Sequence, residues 1–111
     1  MGRATLFAWS SPVPDGADAF AKWYDEVHIP DVRAAIPAID RVVRHRVAAE
    51  PGSTDQPRFL TVYELADDDV AKAAAQLVEA AKAGRLRQSE LMDYTTRPPV
   101  LEWAVVESAE D

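Results

Sequence analysis

The hydrophobic and polar positions along the chain first predict a strand. Residues 3–9, RATLFAW, favour extended structure and end at a serine-serine-proline stop. Within this stretch Leu6 and Ala8 point to one face of the strand, and Phe7 and Trp9 point to the other. A strand that is apolar on both sides is typical of a strand that is covered on both sides.

A first helix is predicted from Asp18, taken as its N-cap, to about residue 28, because apolar residues recur there at three- and four-residue steps. Pro30 disfavours helical geometry at the residue before it. The helix therefore either ends there or begins again with Pro30 as its first residue. The apolar stripe consists of Phe20, Trp23, Tyr24, Val27 and His28.

The rest of the chain predicts three more strands and one more helix. Residues 39–48 and 58–65 are rich in β-branched and aromatic side chains and favour strands. Three aspartates and a stripe of apolar residues predict a second helix over 67–83. After two prolines, residues 100–107 predict the fourth strand, whereas residues 85–97 fit either a short helix or an ordered loop.

The order of elements predicts an α+β, ferredoxin-like βαββαβ domain that spans residues 1–111. Such a domain has a four-stranded antiparallel sheet with two helices on one face. Besides the first strand, the third and fourth strands carry Phe59 and Tyr63, and Leu101 and Trp103, on alternate faces. We expect a second copy of the chain to cover the helix-free face, which makes a homodimeric α/β barrel.

Composition and charge exclude several classes of partner. The chain has 111 residues, 19 acidic against 12 basic side chains and a net charge of −7, which argues against binding to nucleic acid or to an anionic membrane. The absence of cysteine excludes disulfides and thiolate metal sites. No apolar run is long enough to span a bilayer, and the N-terminus does not have the pattern of a signal peptide, so we expect a cytoplasmic protein.

The segment 23–31, WYDEVHIPD, resembles a stretch on the first helix of the EthD-like group of the dimeric α/β barrel superfamily. In that group the chain then passes through a hydrophobic-Pro-Gly turn into the second strand. Ile36 and Pro37 match this turn, but Ala38 stands where the group has glycine. The residues of the helical stretch that match are Trp23, Tyr24, His28, Pro30 and Asp31.

The resemblance implies a homodimer with a pocket for a small molecule. Proteins of this kind resemble cyclases, isomerases, dehydratases, decarboxylases and cofactor-free oxygenases that act on polyketide or aromatic intermediates, and the fold does not choose among them. We expect an enzyme without cofactor or metal that acts on an apolar, aromatic or polyketide-like substrate. The alternatives are a barrel that binds a ligand or assembles without turnover, and a haem-dependent oxygenase with His28 as axial ligand.

Histidine is the side chain best suited to proton transfer near neutral pH, and the chain contains two. We predict that His28 is the general base or acid, at a helix C-terminus whose dipole would raise its pKa. Asp31, three residues further on, can hold one ring nitrogen and orient the ring. The structural alternative is that His28 caps the helix or binds a backbone carbonyl in the core.

Further residues are predicted to line the pocket. Tyr63 can donate a hydrogen bond to a developing enolate oxygen, and Thr61 and Phe59 share its face of the strand. His45 either enters the cavity beside its neighbouring valines or is an ordinary solvated histidine. Aromatic side chains form walls for a flat ligand, or simply part of the core; they are Trp9, Trp23 and Tyr24.

Overall fold

A computed structural model describes residues 2–110 of the chain. Its strands are β1 Ala4–Ser10, β2 Ile39–Arg46, β3 Phe59–Leu65 and β4 Val100–Val105. They form one antiparallel sheet in the order β2-β3-β1-β4, with the helices packed on one face. The prediction of a ferredoxin-like α+β fold is therefore confirmed, and β1 lies in the interior of the sheet.

The first helix begins two residues earlier than predicted. Helix α1 covers Ala17–Trp23, and its N-cap is Gly16, so the assignment of the N-cap to Asp18 was wrong. The Gly16 carbonyl accepts the Phe20 N–H at 2.8 Å and starts the helical pattern. Asp18 instead lies in the first turn, where the helix dipole favours a negative charge.

The helical path continues past Pro30 through one turn of π-helix. This π segment covers Tyr24–His28 and is followed directly by helix α2, Ile29–Ala35. The N–H of Ile29 donates to the carbonyl of Tyr24, five residues earlier. Because Pro30 has no N–H, the α-helical bond that it would otherwise make is missing, and the wider turn accommodates this.

The helix-facing side of the sheet carries more of the apolar residues than predicted. Tyr63 and Trp103 both lie opposite Leu6, and Leu101 and Phe59 also lie opposite residues of this face of β1. The prediction that these residues alternate between the two faces was therefore wrong. All of them face the helices, because the two residues of each pair are an even number of positions apart along their strand.

The other side of the sheet is nevertheless apolar at its centre, as β1 predicts. Phe7 and Val43 both lie opposite Val62 on neighbouring strands. The rings of Phe7 and Trp9 stack, with their centroids 6.0 Å apart. No helix of residues 2–110 packs on this helix-free face. The fold measures 43 × 38 × 21 Å, and its smallest dimension corresponds to one sheet and one layer of helices.

The helix predicted over 67–83 is α3, which covers Val70–Lys82. Asp69 is its N-cap, and the carboxylate accepts the Lys72 N–H at 3.0 Å. Gly84, with φ of 74°, follows the end of the helix. Among the helices of residues 2–110, none has the length and apolar character needed to cross a membrane.

Residues 85–97 form no helix, which resolves the alternatives left open by the sequence in favour of an ordered loop. The loop is tied to the chain that precedes α1. Met92 pairs with Pro12, Val13 donates to the Leu91 carbonyl at 2.8 Å, and Asp93 donates to the Ser11 carbonyl at 2.8 Å.

The turn into β2 does not require glycine. The Ile39 N–H donates to the Ile36 carbonyl at 3.1 Å, and the Ala38 carbonyl accepts the Ala66 N–H at 2.8 Å. Among the described residues, Asp15 is the only residue other than glycine with positive φ, so Ala38 has a backbone conformation that alanine adopts without strain.

Leu6 on the interior strand gives the first testable prediction. Its side chain is 1% exposed and packs between the sheet and the helices. We expect Leu6→Ala to lower the free energy of unfolding by about 3 kcal/mol, because it removes buried methyl groups and leaves a cavity. Urea denaturation measures the change, with Val105→Ala at a half-exposed position as the control. A loss below about 1 kcal/mol would contradict this packing.

Candidate functional site

A cavity of about 370 Å³ lies between the sheet and the helical layer. Its volume is in the range of small-molecule sites, about 300–1,000 Å³. Most of its wall is apolar and comes from β1, the helical stretch 23–32, α3 and residues 86–94. The hydrogen-bonding side chains that matter for its chemistry are Ser10, Tyr24, His28 and Tyr63.

Folding changes the charge state of His28 more clearly than that of any other titratable residue that lines the cavity. Its ring lies against two aromatic rings, with centroid distances of 5.3 Å to Trp23 and 4.6 Å to Tyr24. Burial lowers the pKa of His28 to about 4, although the negative charge of Asp31 acts in the opposite direction. The expectation that the helix dipole raises this pKa was wrong, because the helix does not end at His28 but continues to Ala35.

At neutral pH the imidazole of His28 is therefore uncharged and can accept a proton. Its Nδ1 atom is buried and has no hydrogen-bond partner among the described residues. Because Nδ1 is shielded while the residue lines the cavity, Nε2 is the nitrogen that can meet a ligand there. The capping role and the backbone hydrogen bond considered for His28 do not occur among the described residues.

Two tyrosine hydroxyls meet beside this histidine. The hydroxyl oxygens of Tyr24 and Tyr63 lie 3.5 Å apart, and both residues are 1% exposed. Burial raises the pKa of Tyr24, partly offset by the hydroxyls of Thr61, Tyr63 and Ser10. Burial also raises the pKa of Tyr63, and the neighbouring Tyr24 raises it further. Both phenols therefore stay protonated and can donate hydrogen bonds.

Ser10 and Thr61 add two more hydroxyls to this cluster. Their side-chain oxygens are buried and make no well-oriented hydrogen bond to any described residue, although both lie near the hydroxyl of Tyr24. Buried hydroxyls are usually hydrogen-bonded in folded proteins, so these two can bond Tyr24, a water molecule or a ligand. Ser10 was missed from the sequence, and its position on the same face of β1 as Leu6 was the available signal.

Asp31 has a different partner from the one predicted. Its carboxylate accepts three hydrogen bonds from Arg87: from the backbone N–H at 2.9 Å, from Nε at 3.0 Å and from Nη2 at 2.7 Å. These bonds lower the pKa of Asp31. The carboxylate influences His28 through its charge, and no hydrogen bond joins the two side chains among the described contacts. Arg87 itself lines the cavity, and the sequence did not predict this role.

Phe59 and Thr61 lie behind the tyrosines. The centroids of the Phe59 and Phe20 rings are 5.6 Å apart. Two guanidinium groups cover the Phe59 ring, and their Cζ atoms lie 5.3 Å (Arg44) and 5.1 Å (Arg46) from its centroid. Phe59 is not among the residues that line the cavity. It supports the helix that carries Tyr24 and has no direct contact with the cavity space.

His45 and the ring of Trp9 belong to the opposite side of the sheet. His45 is exposed on the edge strand β2 opposite Leu60, on the helix-free face. The Trp9 ring stacks on Phe7 of that face, although Trp9 also borders the cavity. The structure thus brings together Trp23, Tyr24, His28 and Tyr63, with Asp31 close by, and separates them from His45.

Metal ligation has no visible basis in the described part of the chain. Within residues 2–110, no three histidine, aspartate or glutamate side chains lie close enough to share an ion. The acidic residues Asp67 and Asp69 bind backbone N–H groups at the start of α3.

Comparisons with known proteins give the fold. No family model matches the chain, and no curated protein matches it. A dimeric ferredoxin-like protein from an uncultured marine organism superposes with a TM-score of 0.64 at 13% identity, over 99% of this chain and 100% of that one. An EthD-like protein from Ralstonia eutropha superposes with a TM-score of 0.58 at 16% identity, over 94% of this chain and 91% of that one. HapK from Hahella chejuensis superposes with a TM-score of 0.52 at 17% identity, over 100% of this chain and 95% of that one. The chain shares its fold with EthD-like and dimeric ferredoxin-like proteins.

The lowered pKa of His28 predicts how stability depends on pH. Below an unfolded-state pKa of about 6.5, the unfolded chain binds a proton that the folded chain does not bind until about pH 4. The contribution of His28 to the free energy of unfolding is therefore complete above pH 6.5. As the pH drops towards 4, the free energy of unfolding falls by about 3 kcal/mol because of this group.

We expect His28→Gln to remove this part of the pH dependence. Urea denaturation of both proteins between pH 7 and pH 4, at one protein concentration, measures the difference between their free energies of unfolding. Parallel curves for the two proteins would show that His28 titrates normally in the folded state.

Proposed function

We propose that the protein is a small-molecule enzyme that moves a proton on an apolar aromatic or polyketide-like substrate, with His28 as general base. The single observation that supports this most strongly is the uncharged imidazole at the wall of an apolar cavity, beside two protonated tyrosines. A neutral imidazole can accept a proton, and a protonated phenol can stabilise the charge that develops.

The proposed step is enolisation of a carbonyl compound. Nε2 of His28 takes the proton from the carbon next to the carbonyl, and the electron pair of the C–H bond moves to form the enolate. The hydroxyl of Tyr63 donates a hydrogen bond to the enolate oxygen, and Tyr24 donates to or accepts from Tyr63. The charge of Asp31 favours the imidazolium that results. Return of the proton, closure of a ring or loss of water then completes an isomerisation, cyclisation or dehydration.

The charges at the wall favour an uncharged substrate. Among the described residues that line the cavity, Arg87 is the one with a permanent positive charge, and its guanidinium is already bound to Asp31. A ligand carboxylate or phosphate would enter an apolar space without a free cation, which is unfavourable. Trp23, packed against the ring of His28, offers an aromatic surface to a flat ligand.

Binding without turnover is the second candidate function. It is favoured because Asp31 binds Arg87, and this leaves His28 without a hydrogen-bonded carboxylate. A histidine with a pKa of about 4 is also a weak base. A ligand in this cavity would then be held by shape and by the hydroxyl cluster alone.

We further propose that two copies of the chain pack through their helix-free faces. The centre of this face is apolar, and the ion pair between Arg41 and Glu64, at 2.8 Å, lies towards one end of it. Apolar surface of this kind, bordered by Glu102 opposite Phe7, is typical of an interface between proteins. The marine protein that shares this fold is described as dimeric.

Solvent deuterium exchange tests the proposed chemistry. 2-Tetralone, an uncharged aromatic ketone with acidic C–H bonds, is incubated with the protein in D₂O, and its C–H signals are followed by NMR. We expect exchange to be accelerated by the wild-type protein and the acceleration to fall about 100-fold or more in His28→Gln. Tyr63→Phe should also lose most of the acceleration, because the enolate oxygen loses its donor.

His45→Gln is the matched control, since it removes the other histidine from the opposite side of the sheet. Its acceleration should equal that of the wild type. Saturable quenching of tryptophan fluorescence by 2-tetralone without any exchange would reject catalysis in favour of the binding function. Undiminished exchange in His28→Gln would reject the assigned base.

The proposed dimer gives a separate prediction. We expect Val62→Asp to convert a dimer into a monomer, because it places a charge at the centre of the helix-free face. Sedimentation velocity measures the mass of each species. Ala75→Asp, at an exposed position of α3, is the control and should remain dimeric. A wild-type chain that sediments as a monomer at micromolar concentration would refute the proposed assembly.

A further inference from the structure

One wall of the cavity is a segment without regular secondary structure, residues 85–90, which we call the strap. Leu86, Arg87 and Gln88 of the strap line the cavity. At one end, the Arg85 N–H donates to the Ala80 carbonyl at the close of α3. At the other end, the carbonyl of Leu91 accepts the N–H of Val13. The strap therefore crosses the cavity between two fixed ends.

Between these ends, the hydrogen bonds from the strap to the rest of the fold converge on one side chain. Among the described residues, the bonds that join positions 86–90 to other elements all run from Arg87 to the carboxylate of Asp31. The bonds of Ser89 stay local, because they reach only Leu91 and Met92. One ion pair thus fixes the middle of the strap to α2.

The two partners of this ion pair differ in exposure. The Asp31 side chain is 11% exposed and fixed on a helix, whereas the Arg87 side chain is 62% exposed on the strap. A paired, two-pronged contact of guanidinium with carboxylate is specific in geometry. An exposed arginine is also readily solvated when it leaves, so the contact can break without burying an unpaired charge on the strap.

We propose that Asp31 and Arg87 are positioning residues that form a latch, and that release of this latch moves the strap and opens the cavity. This inference depends on the proposed function only in taking the cavity as the place where a ligand enters. It gives Asp31 a role that differs from orienting His28. Leu86, packed on the core beside the helices, is the part of the strap that moves out of its apolar contact when the latch opens.

The absence of cysteine from the chain allows a test that needs no ligand. Val32 lies next to Asp31 on α2, is 3% exposed and lines the cavity. The variant Val32→Cys therefore places a single thiol inside, and its reaction with N-ethylmaleimide reports how often the cavity opens. We expect Arg87→Ala to accelerate this reaction about tenfold, because the strap loses both guanidinium bonds to Asp31 and keeps only the backbone bond.

Three controls separate the latch from a general loss of stability. Arg85→Ala removes a neighbouring exposed arginine that lies outside the cavity lining, and it should leave the labelling rate of Val32→Cys unchanged. Ala80→Cys, buried at 0% exposure and outside the cavity lining, should label equally slowly with and without Arg87→Ala. Arg87→Lys keeps the charge but not the paired geometry, so its labelling rate should lie between those of wild type and Arg87→Ala.

Equal labelling of Val32→Cys with and without Arg87→Ala would overturn the latch. Equal acceleration of the Val32→Cys and Ala80→Cys thiols by Arg87→Ala would also overturn it, because the change would then be global unfolding. Amide hydrogen exchange at residue 87, whose N–H donates to Asp31, provides the second measurement and should also accelerate about tenfold in Arg87→Ala. Both measurements are made without ligand, so a protein that fails to exchange 2-tetralone can still confirm or refute the latch.

Discussion

The fold depends on one strand that is apolar on both sides and lies inside the sheet. The face of β1 that carries Leu6, Ala8 and Ser10 packs towards the helices and forms part of the cavity wall. Its other face carries Phe7 and Trp9 and forms the centre of the helix-free surface. Burial of apolar surface is the dominant favourable term in folding, and each face of β1 needs a different layer to cover it.

The chemistry depends on a second constraint, which is the missing N–H of Pro30. The helix continues past the proline by widening into one π-helical turn, and this turn ends at His28. Tyr24 and His28 lie at the two ends of the turn, and the centroids of their rings are 4.6 Å apart. The aromatic neighbours shield the imidazole from water, and this burial keeps it uncharged at neutral pH.

The sequence predicted the order of the elements, because alternation and helical spacing are local signals. It also predicted that Trp23, Tyr24 and His28 would lie on one stripe. It could not predict the partner of Asp31, since Arg87 lies 56 residues away in a loop without periodicity. Phe59, Thr61 and Tyr63 were correctly placed together on one face of β3, because side chains alternate along a strand. Which face of the sheet they share with Leu101 and Trp103 depends on contacts between strands, so the expectation that these residues reach both faces was wrong. The pKa of His28 was predicted in the wrong direction, because the helix continues past His28 and burial lowers the pKa.

The sheet separates the cavity from the helix-free face, and this has a consequence for how two copies would work together. If helix-free faces pack against each other, the cavities open on opposite outer sides, with two sheets between them. The residues that line each cavity in the single chain then all belong to one copy. Occupation of one cavity would have no direct path of contact to the other, so saturation would follow a simple hyperbola without cooperativity.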